Sequence, residues 1–595
     1  MSLSLLSVFK RNAMIGAMPE AQPIGESVRQ QKAVAAITTS NYFVNTTWLS
    51  AFVLIAITIL VYQPVWHAGF IWDDDISITD NHLVKAKDGL RRLWLTTEAT
   101  DYWPLTSSAW WLEWRLWGIR PRGYHMVNVT LHAANAVLVW VILRHLKIPG
   151  GWLAGLAWAI HPVNAATVAW VSEQKNTLSM LFYLVTILMY LRFNERQRWR
   201  WYGAALMAFL LALFSKSAVV MLPVVLLGCV WWLRGQSGRR HLLCSIPFFA
   251  LSLVFGLVTI WFQFHHSLEG HSIRTAGLLA RLTTAGWAVG FYLWKALWPL
   301  GLSAVYPAPS FDRLQASSLV PATAVAGLLI FSFRRFTIVR RPILFGIGYF
   351  VVTLFPVLGF FDQTFYRYSL VADHWQYFAI GSPIALVVGG GVCICHRLGE
   401  WSKCIGGLAS AVLLVMLGVA TWTRSSVYAS SETLWRDTLA KNPNSWVAHY
   451  NLANALLHAG RIQDAVGQYE LALEIKPDYR EANNNLAFIL LQAGKINDAI
   501  KHLEQAVRVG PNVAEGQHNL GFALLLAGRS EDAINHLEQA VRLKPDYAEA
   551  HYSLGNALLT VGKRKEAITQ YELAVQLKPD FTDARNALDR LRGAQ

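Results

Sequence analysis

Long apolar runs dominate the first 430 residues of the chain, whereas the rest of the chain alternates between apolar and polar positions with a helical period. A membrane-spanning helix needs about 20 predominantly apolar residues. The chain therefore predicts an all-α protein with about eleven transmembrane helices, followed by a water-soluble helical region. The apolar runs lie near 46–66, 125–143, 151–170, 177–191, 201–214, 217–233, 243–263, 318–333, 343–361, 376–395 and 404–422.

Basic residues recur on every second connection between these runs, which is the pattern of cytoplasmic loops. The clusters are Arg144/Lys147, Arg192/Arg196/Arg198/Arg200, Arg234/Arg239/Arg240, Arg334/Arg335/Arg340/Arg341 and Arg397/Lys403. This parity holds if the segment 277–298 is re-entrant or interfacial and does not cross the membrane. We then expect the large loop 67–124 and everything after Thr423 to lie outside the cytoplasm.

The predicted domain organisation follows from this topology. Residues 1–44 are polar, without an apolar core or a cleavage site, and read as a cytoplasmic N-terminal tail. Residues 45–424 form the transmembrane domain, and residues 425–595 form an extracytoplasmic domain. In a Gram-negative source that domain is periplasmic, so we expect a multi-pass protein of a bacterial inner membrane.

Charge and cysteine usage agree with a membrane protein. Only 15% of the residues are charged and 54% are hydrophobic, against about 25% charged in soluble chains. Residues 1–430 hold 34 basic and 17 acidic groups, so the positive net charge of the chain, +15 in total, belongs entirely to this part. We attribute this excess to topology and not to nucleic-acid binding. The five cysteines lie in or beside apolar segments without metal spacing, and neither a disulfide nor a metal site is indicated.

The C-terminal region is an array of tetratricopeptide (TPR) repeats. Glycine, alanine and proline each recur every 34 residues, the TPR period, in units of two helices. The series are Gly460/Gly494/Gly528/Gly562, Ala465/Ala499/Ala533/Ala567 and Pro477/Pro511/Pro545/Pro579. We expect glycine or alanine to let the paired helices approach, and proline to close the second helix. The array comprises a half repeat at 431–443 with Trp435, four repeats over about 445–581 and a cap at 582–595, rigidly joined to the last membrane helix.

Asparagines line the predicted inner face of this array. Asn451, Asn485 and Asn519 are 34 residues apart on the first helix of each unit, and Ser553 takes the fourth place. They resemble the asparagine ladder of the TPR superhelix in O-linked N-acetylglucosamine transferase, which grips the backbone of an extended peptide. A side-chain amide can both donate to and accept from a peptide group. The alternative is that these asparagines are merely solvated or help pack the helices.

Charged residues at the outer edge of the membrane are the candidate chemistry. Lys175 and Lys216 lie in outer connections, against the charge rule, and a lipid-linked phosphate would be a suitable partner. Lysines that only anchor helix ends would look the same. Asp73 and Asp74 open the first outer loop within Trp72–Asp75, where mutual repulsion favours a general base. A solvated acidic turn or a helix cap is the alternative.

Further polar groups are predicted at the same depth, and their convergence on one membrane face is more informative than any single residue. Candidates that line this pocket are His125, Asn128, His132, His161, Glu173, Asp362, Arg367, Tyr368, Asp373, His374 and Tyr377.

Seven segments together resemble bacterial TPR-containing glycosyltransferases of the GT-C superfamily, relatives of the transmembrane and TPR-containing O-mannosyltransferases. The segments are GFIWDDDISITDN (69–81), YWPLT (102–106), GYHMVNVTLHAANA (123–136), HPVNAATVAWVSEQKN (161–176), SKSAVVMLP (215–223), LWPLGLSAVYPAP (297–309) and ADHWQYFAIGSP (372–383). The resemblance implies inverting transfer of a sugar from a polyprenyl-phosphate carrier to an extracytoplasmic protein acceptor.

Roles for individual residues follow from the same resemblance. An aspartate of the first outer loop serves such enzymes as base or acceptor-orienting group, a role that passes to Asp73 or Asp74. Lys175, Lys216, Arg367 and His374 would hold the carrier phosphate. The chain departs from the relatives at Ala166, where they commonly have glutamate, and at His374, where they commonly have arginine. A divalent metal is not indicated.

Two other classes of function fit parts of the pattern. A non-catalytic scaffold would use the TPR array to assemble envelope proteins, with the membrane domain as an anchor. A lipid or solute transporter ranks last, because no paired, Gly/Pro-broken inverted repeats are evident. The acidic cluster and the two lysines favour catalysis.

Overall fold

The computed structural model describes residues 47–235, 238–267, 277–307, 327 and 340–593. The chain separates into two units, Met1–Val53 and Leu54–Gln595. In the first unit, the described residues 47–53 are helical, with Trp48 and Phe52 exposed. The predicted tail 1–44 and, apart from residue 327, the predicted span 318–333 lie outside the described residues.

The membrane part of the second unit is built from helices, which confirms the predicted all-α class. Among the described residues, six helices are long and apolar enough to cross a membrane: Pro121–His145, Val171–Arg196, Ser217–Arg234, Arg239–His266, Gly381–Leu398 and Glu400–Val427. Three apolar helices are shorter: Thr47–Val61, Trp199–Ser215 and Arg341–Val357. The remaining α-helices are His82–Lys85, Gly89–Leu95, Pro104–Trp117, Gly151–Ala159, Ala165–Val168 and Leu278–Leu297. The number eleven and the interfacial position of 277–298 stay predictions.

The predicted span 151–170 is wrong as a continuous helix. The helix Gly151–Ala159 has nine residues and is followed by three single turns, Pro162–Asn164, Ala165–Val168 and Val171–Glu173. Pro162 causes the break, because proline lacks an amide hydrogen and disfavours the helical conformation of the preceding residue. His161 accordingly has extended backbone angles, φ −81° and ψ 128°.

Side chains satisfy the carbonyl groups that this break leaves open. Asn164 Nδ2 donates to Trp158 O over 2.7 Å, His132 Nε2 lies 2.8 Å from Ala159 O, and Thr421 Oγ1 donates to Ile160 O over 2.6 Å. Irregular backbone at membrane depth is tolerated only where its polar groups are paired within the protein. These bonds therefore allow the chain to run as an irregular segment from Ile160 to Glu173, which carries candidate residues.

The TPR array consists of ten helices: Ser431–Lys441, Trp446–His458, Ile462–Ile475, Arg480–Gln492, Ile496–Val509, Ala514–Leu526, Ser530–Leu543, Ala548–Thr560, Arg564–Leu577 and Thr582–Gly593. The predicted solenoid is confirmed. The alanines of the 34-residue series are fully buried where paired helices approach. The expected role of the glycines is wrong: Gly460 and its three equivalents have φ of 74–81°, and a Cβ added there would meet no atom within 4 Å. They turn the chain between helices, because only glycine adopts left-handed angles without strain.

One hydrophobic core runs from the membrane part into the first repeats. It includes Ile71 and Trp170 together with Trp435, Leu452 and Leu486. Polar contacts reinforce the same junction, because Gly69 N donates to Ala429 O over 3.0 Å and Lys441 Nζ donates to Leu302 O over 2.7 Å. The array therefore starts as a continuation of the membrane domain's core.

Candidate active site

Asp74 fixes the start of the first outer loop. Both of its carboxylate oxygens accept backbone N–H groups, Oδ2 from Ile71 over 2.9 Å and Oδ1 from Ser172 over 2.7 Å. The side chain is fully buried. A carboxylate whose two oxygens bind backbone donors stabilises a loop conformation. Asp74 thus attaches the loop to the irregular segment before the helix Gln174–Arg196.

Asp73 is held differently and keeps one carboxylate oxygen open. Its Oδ1 accepts from Ser172 Oγ over 2.7 Å, and among the described residues its Oδ2 has no hydrogen-bond partner. The residue is half-buried. Burial raises the pKa of Asp73, while Lys175 and the Ser172 hydroxyl oppose that shift. A carboxylate with a raised pKa and a free oxygen can accept a proton. The backbone of the preceding residue, Trp72, lies in the left-handed region, with φ of 49°.

Glu173 lies at the centre of the neighbouring charged cluster. Its Oε1 is 3.0 Å from Lys175 Nζ, and its Oε2 is 3.7 Å from Lys216 Nζ. Asn176 Nδ2 also donates to Oε2, and His374 Nε2 lies 3.9 Å from Oε1. All of these side chains are buried or nearly so. The structure therefore brings four predicted site residues together, with one carboxylate at the centre of the group.

Within 4 Å of Glu173, the cluster brings two lysines to one carboxylate. Burial lowers the pKa of Lys216 to about 8, against the opposing effect of Glu173. Burial also lowers the pKa of His374 to about 4, so its imidazole is neutral at pH 7. Two ammonium groups then lie at one glutamate, and Asp73 and Asp101 are further carboxylates that act on them. An anionic ligand that reaches both ammonium groups would compete with these carboxylates.

Three further residues at this cluster were missed by the sequence analysis. Ser172 joins both aspartates to the segment, Trp103 lies with its ring centre 5.1 Å from Lys175 Nζ, and Asp101 accepts from Gln263 Nε2 over 2.5 Å. Burial raises the pKa of Asp101 to about 6, and Lys175 and Lys216 oppose the shift. Trp103 lies within the YWPLT segment, and Asp101 directly precedes that segment. This position in the sequence could have marked both residues as candidates.

Glu113 supports the same segment from the helix Pro104–Trp117. Its Oε1 accepts from Gln174 Nε2 over 2.6 Å, whereas its Oε2 and Gln174 Oε1 have no partner among the described residues. Burial raises the pKa of Glu113 to about 8. A carboxyl protonated at Oε2 would donate to Gln174 Oε1, and both open atoms would then be paired.

Four predicted pocket residues lie instead in the helical core. Asn128 Nδ2 donates to the carbonyls of Thr167, Val168 and Trp170 over 3.0–3.2 Å. His132 binds Ala159 and His161 lies 3.2 Å from Ala296 O, so both support backbone. His125 is buried, and within the described chain neither ring nitrogen has a hydrogen-bond partner.

The remaining candidates of the 361–378 region separate in space. Tyr368 lies beside Trp72 with ring centres 6.0 Å apart, next to Asp73. Asp373 accepts from Tyr306 OH over 2.7 Å and lies 3.9 Å from Arg424 Nη2. Arg367 is exposed and has no ion pair among the described residues. Asp362 lies 3.2 Å from Arg281, and Tyr377 binds His132 over 2.7 Å.

The asparagine ladder is partly engaged within the array itself. Asn451 Nδ2 donates to Val447 O of its own helix over 2.8 Å, and Asn485 Nδ2 donates to Asn454 Oδ1 over 3.2 Å. Asn519 is half-buried, and Ser553 Oγ lies 3.1 Å from His518 Nε2. One N–H group of Asn451 is thus already used within its own helix, which the 34-residue spacing could not reveal.

Comparison with known proteins supplies the family context of this geometry. Residues 104–262 match the family described as dolichyl-phosphate-mannose-protein mannosyltransferase. Tetratricopeptide repeat families match residues 418–480, 456–518, 523–562 and 548–581. These matches confirm the predicted resemblance to TPR-containing O-mannosyltransferases, whereas a bacterial source stays a prediction.

Two relatives match over most of this chain. It is 22% identical to the protein O-mannosyl-transferase F38B6.6 of Caenorhabditis elegans, over 72% of this chain and 63% of that protein. It is 24% identical to the protein O-mannosyl-transferase TMTC4 of Homo sapiens, over 70% of this chain and 64% of that protein. The chain thus spans somewhat less than two thirds of the length of these relatives.

Among solved structures, the array is similar to "YrrB: a TPR protein with an unusual peptide-binding site", at 20% identity and a TM-score of 0.25. That match covers 26% of this chain and 81% of the other. The protein MamA matches at 27% identity and a TM-score of 0.23, over 24% of this chain and 84% of the other.

Proposed function

We propose that this protein is a membrane glycosyltransferase, which transfers a sugar from a polyprenyl-phosphate carrier to a hydroxyl group of a protein acceptor presented by the TPR array. The observation that carries the proposal is the Ser172–Lys175 segment. Within this segment, Ser172 donates to Asp73, and Glu173 lies beside both Lys175 and Lys216. A proton acceptor and a phosphate-binding pair of cations therefore lie next to each other, in a membrane domain similar to mannosyltransferases.

The reaction assigns a role to each of these groups. The acceptor oxygen attacks C1 of the sugar while its proton passes to Asp73 Oδ2, and the bond between C1 and the phosphate oxygen breaks. Lys175 and Lys216 stabilise the negative charge of the departing polyprenyl phosphate. Glu173 offsets the repulsion between the two ammonium groups in the absence of phosphate. The names of the relatives favour mannose as the sugar.

The two departures from the family pattern are compatible with this role. His374 stands 3.9 Å from Glu173, within the cluster where relatives commonly carry arginine. Its neutral imidazole can donate one hydrogen bond to a phosphate oxygen but adds no charge. Ala166 is buried in the hydrophobic core, so the cluster lacks any group from that position. Two lysines then provide the positive charge. Arg367 is exposed and outside the cluster, which leaves it a weaker candidate.

The orientation belongs to the same proposal. Because the basic connections mark the cytoplasmic side, Asp73, the charged cluster and the array lie outside the cytoplasm. A reporter that is active only outside the cytoplasm, fused after Gln595, should be active, and a cytoplasm-only reporter should be silent. The reverse result would exclude an outer active site.

Donor binding to the purified protein in lipid nanodiscs tests the proposal. Lys175→Met and Lys216→Met keep the apolar stem but remove the charge. A hydrogen bond to a charged group contributes roughly 1.5–3 kcal/mol, so each change should weaken binding of polyprenyl-phosphate mannose by about 10- to 150-fold. Lys403→Met is the control, because Lys403 pairs with Glu400 at the start of the last membrane helix.

A scaffold makes the opposite prediction. The unmodified protein would then bind no polyprenyl-phosphate sugar, while the array would still capture its partner after both lysine substitutions. Absence of donor binding by protein whose helical content and size-exclusion profile are native would overturn the glycosyltransferase proposal.

A further inference from the structure

Five aromatic side chains form a continuous path between the TPR array and Asp73. Trp72 lies 6.0 Å from Tyr368, Tyr368 lies 5.8 Å from Trp446, Trp446 lies 4.5 Å from Tyr479, and Tyr479 lies 4.9 Å from Tyr450, between ring centres. We call these five residues the aromatic track. It begins on the first helix of repeat one and ends at the residue that precedes Asp73.

The track lies along the junction of the array and the membrane domain, because Tyr368 contacts Trp446 and Trp72 packs against Trp435 with ring centres 4.7 Å apart. The interior of that junction is formed by Trp435 and Tyr428, each only 1% exposed. Every ring of the track is instead half-buried, with part of its surface accessible. Partly exposed Trp and Tyr residues are enriched where proteins bind partners, because they offer rigid apolar faces at low entropic cost.

Polar groups border the track on the array side. Asn485 Nδ2 lies 3.5 Å from Tyr450 OH and 3.2 Å from Asn454 Oδ1. Lys476 Nζ lies 4.2 Å from the ring centre of Trp446, a cation–π contact that holds this ring in place. Amides beside aromatic faces suit an extended peptide, whose backbone needs donors and acceptors while its side chains need apolar contact.

We infer that the aromatic track guides an extended, unfolded segment of the protein acceptor from the TPR array to Asp73; the inference rests on the proposed function and deepens it. One N–H group of Asn451 binds Val447, which leaves its second N–H group and its Oδ1 for a peptide, and the rings of the track add apolar contacts. The four ring-to-ring steps correspond to at most about six extended residues. Recognition therefore extends about six residues from the modified hydroxyl.

Photo-cross-linking tests this inference without requiring sugar transfer. A benzophenone amino acid replaces Tyr368 or Tyr450 in the full-length protein in nanodiscs, and Glu474 in a control. Glu474 is exposed on the second helix of repeat one. The probe is ribonuclease A, either native or reduced and carbamidomethylated so that it stays unfolded. We expect about tenfold more product with the unfolded form at both track positions, and equal background at Glu474.

Two outcomes would overturn the inference: equal cross-linking of native and unfolded ribonuclease at Tyr368 and Tyr450, or yields there no higher than at Glu474. Donor binding is measured on the same cross-linker-bearing proteins. Cross-linking that fails while polyprenyl-phosphate mannose still binds refutes the track and leaves the proposed function intact. Donor binding that fails while the preference for the unfolded form persists refutes the transferase and leaves the track as a peptide-binding surface.

Discussion

The irregular segment 160–173 and the TPR array solve the same problem of pairing polar groups in opposite ways. In the segment, individual side chains such as Asn128, His132 and Thr421 reach the open carbonyls across the fold. In the array, each helix pairs its own backbone N–H and C=O groups. The same buried alanine and the same left-handed glycine recur at equivalent positions in each of the four repeats. The segment therefore depends on unique residues, whereas the array depends on a repeated pattern.

This difference explains where the candidate chemistry lies. The end of the irregular segment places Ser172 beside Asp73, and it places Glu173 beside Lys216 and beside Lys175 of the following helix. A regular helix would direct them around its circumference. The repeated array offers a long surface but no comparable concentration of buried charge within its described residues. We expect substitutions in the segment to act through specific bonds, and those in the array to act through helix geometry.

The largest expected effect separates two aspartates of the same loop. Asp73→Asn should lower sugar transfer by about 10²- to 10⁴-fold, because an amide cannot accept the acceptor's proton. Binding of polyprenyl-phosphate mannose should persist. Transfer from this donor to the acceptor is measured with radiolabelled sugar. Asp75→Asn is the matched control, because Asp75 is exposed and its side chain binds Thr79 of its own turn. Equal transfer by the two variants would remove Asp73 from the mechanism.

Next in size is a pair of asparagine substitutions that compares the two regions directly. Asn128→Leu removes the donor to three buried carbonyls and should destabilise the protein by about 1–3 kcal/mol. Asn519→Leu on the half-buried face of the array should change stability by no more than about 0.5 kcal/mol. Thermal unfolding in detergent reports both. Similar shifts in unfolding temperature for the two variants would contradict the idea that the segment depends on unique residues and the array on a repeated pattern.

The charged cluster predicts a pH dependence of donor binding. Because the pKa of Lys216 is lowered to about 8, its charge is present at pH 7 and lost as the pH rises. Donor affinity should fall about tenfold between about pH 7 and pH 9. Lys216→Arg should keep its charge and remove most of this dependence. An unchanged pH profile in this variant would assign the dependence to another group.

The smallest effect compares glycines with opposite backbone requirements. Gly528→Ala should destabilise the array by about 1 kcal/mol, because its φ of 78° is unfavourable for alanine. Gly203→Ala, within the helix Trp199–Ser215, should be neutral or stabilising by up to about 1 kcal/mol, since nothing lies within 4 Å of a Cβ there. Denaturation followed by circular dichroism measures both. Destabilisation by Gly203→Ala alone would reverse the comparison.

The sequence was most informative where structure depends on neighbours along the chain. A 34-residue period and apolar runs predicted the array and the membrane helices, because helix formation and membrane insertion act on local segments. The break at Pro162 also has a local cause, but it lies within a long apolar run that we predicted as one continuous helix. Four of the predicted polar residues, Glu173, Lys175, Lys216 and His374, do meet in one cluster.

The sequence by itself determined the two regions, the side-chain chemistry available to them and the residues that could carry charge at the membrane edge. Only the tertiary structure decided which aspartate keeps a free oxygen, and that Asn128 and His132 serve backbone carbonyls. Asp73 and Ser172 are 99 residues apart, and His132 and Tyr377 are 245 apart. Hydrogen bonds between residues so distant depend on how the helices pack, which no local pattern specifies.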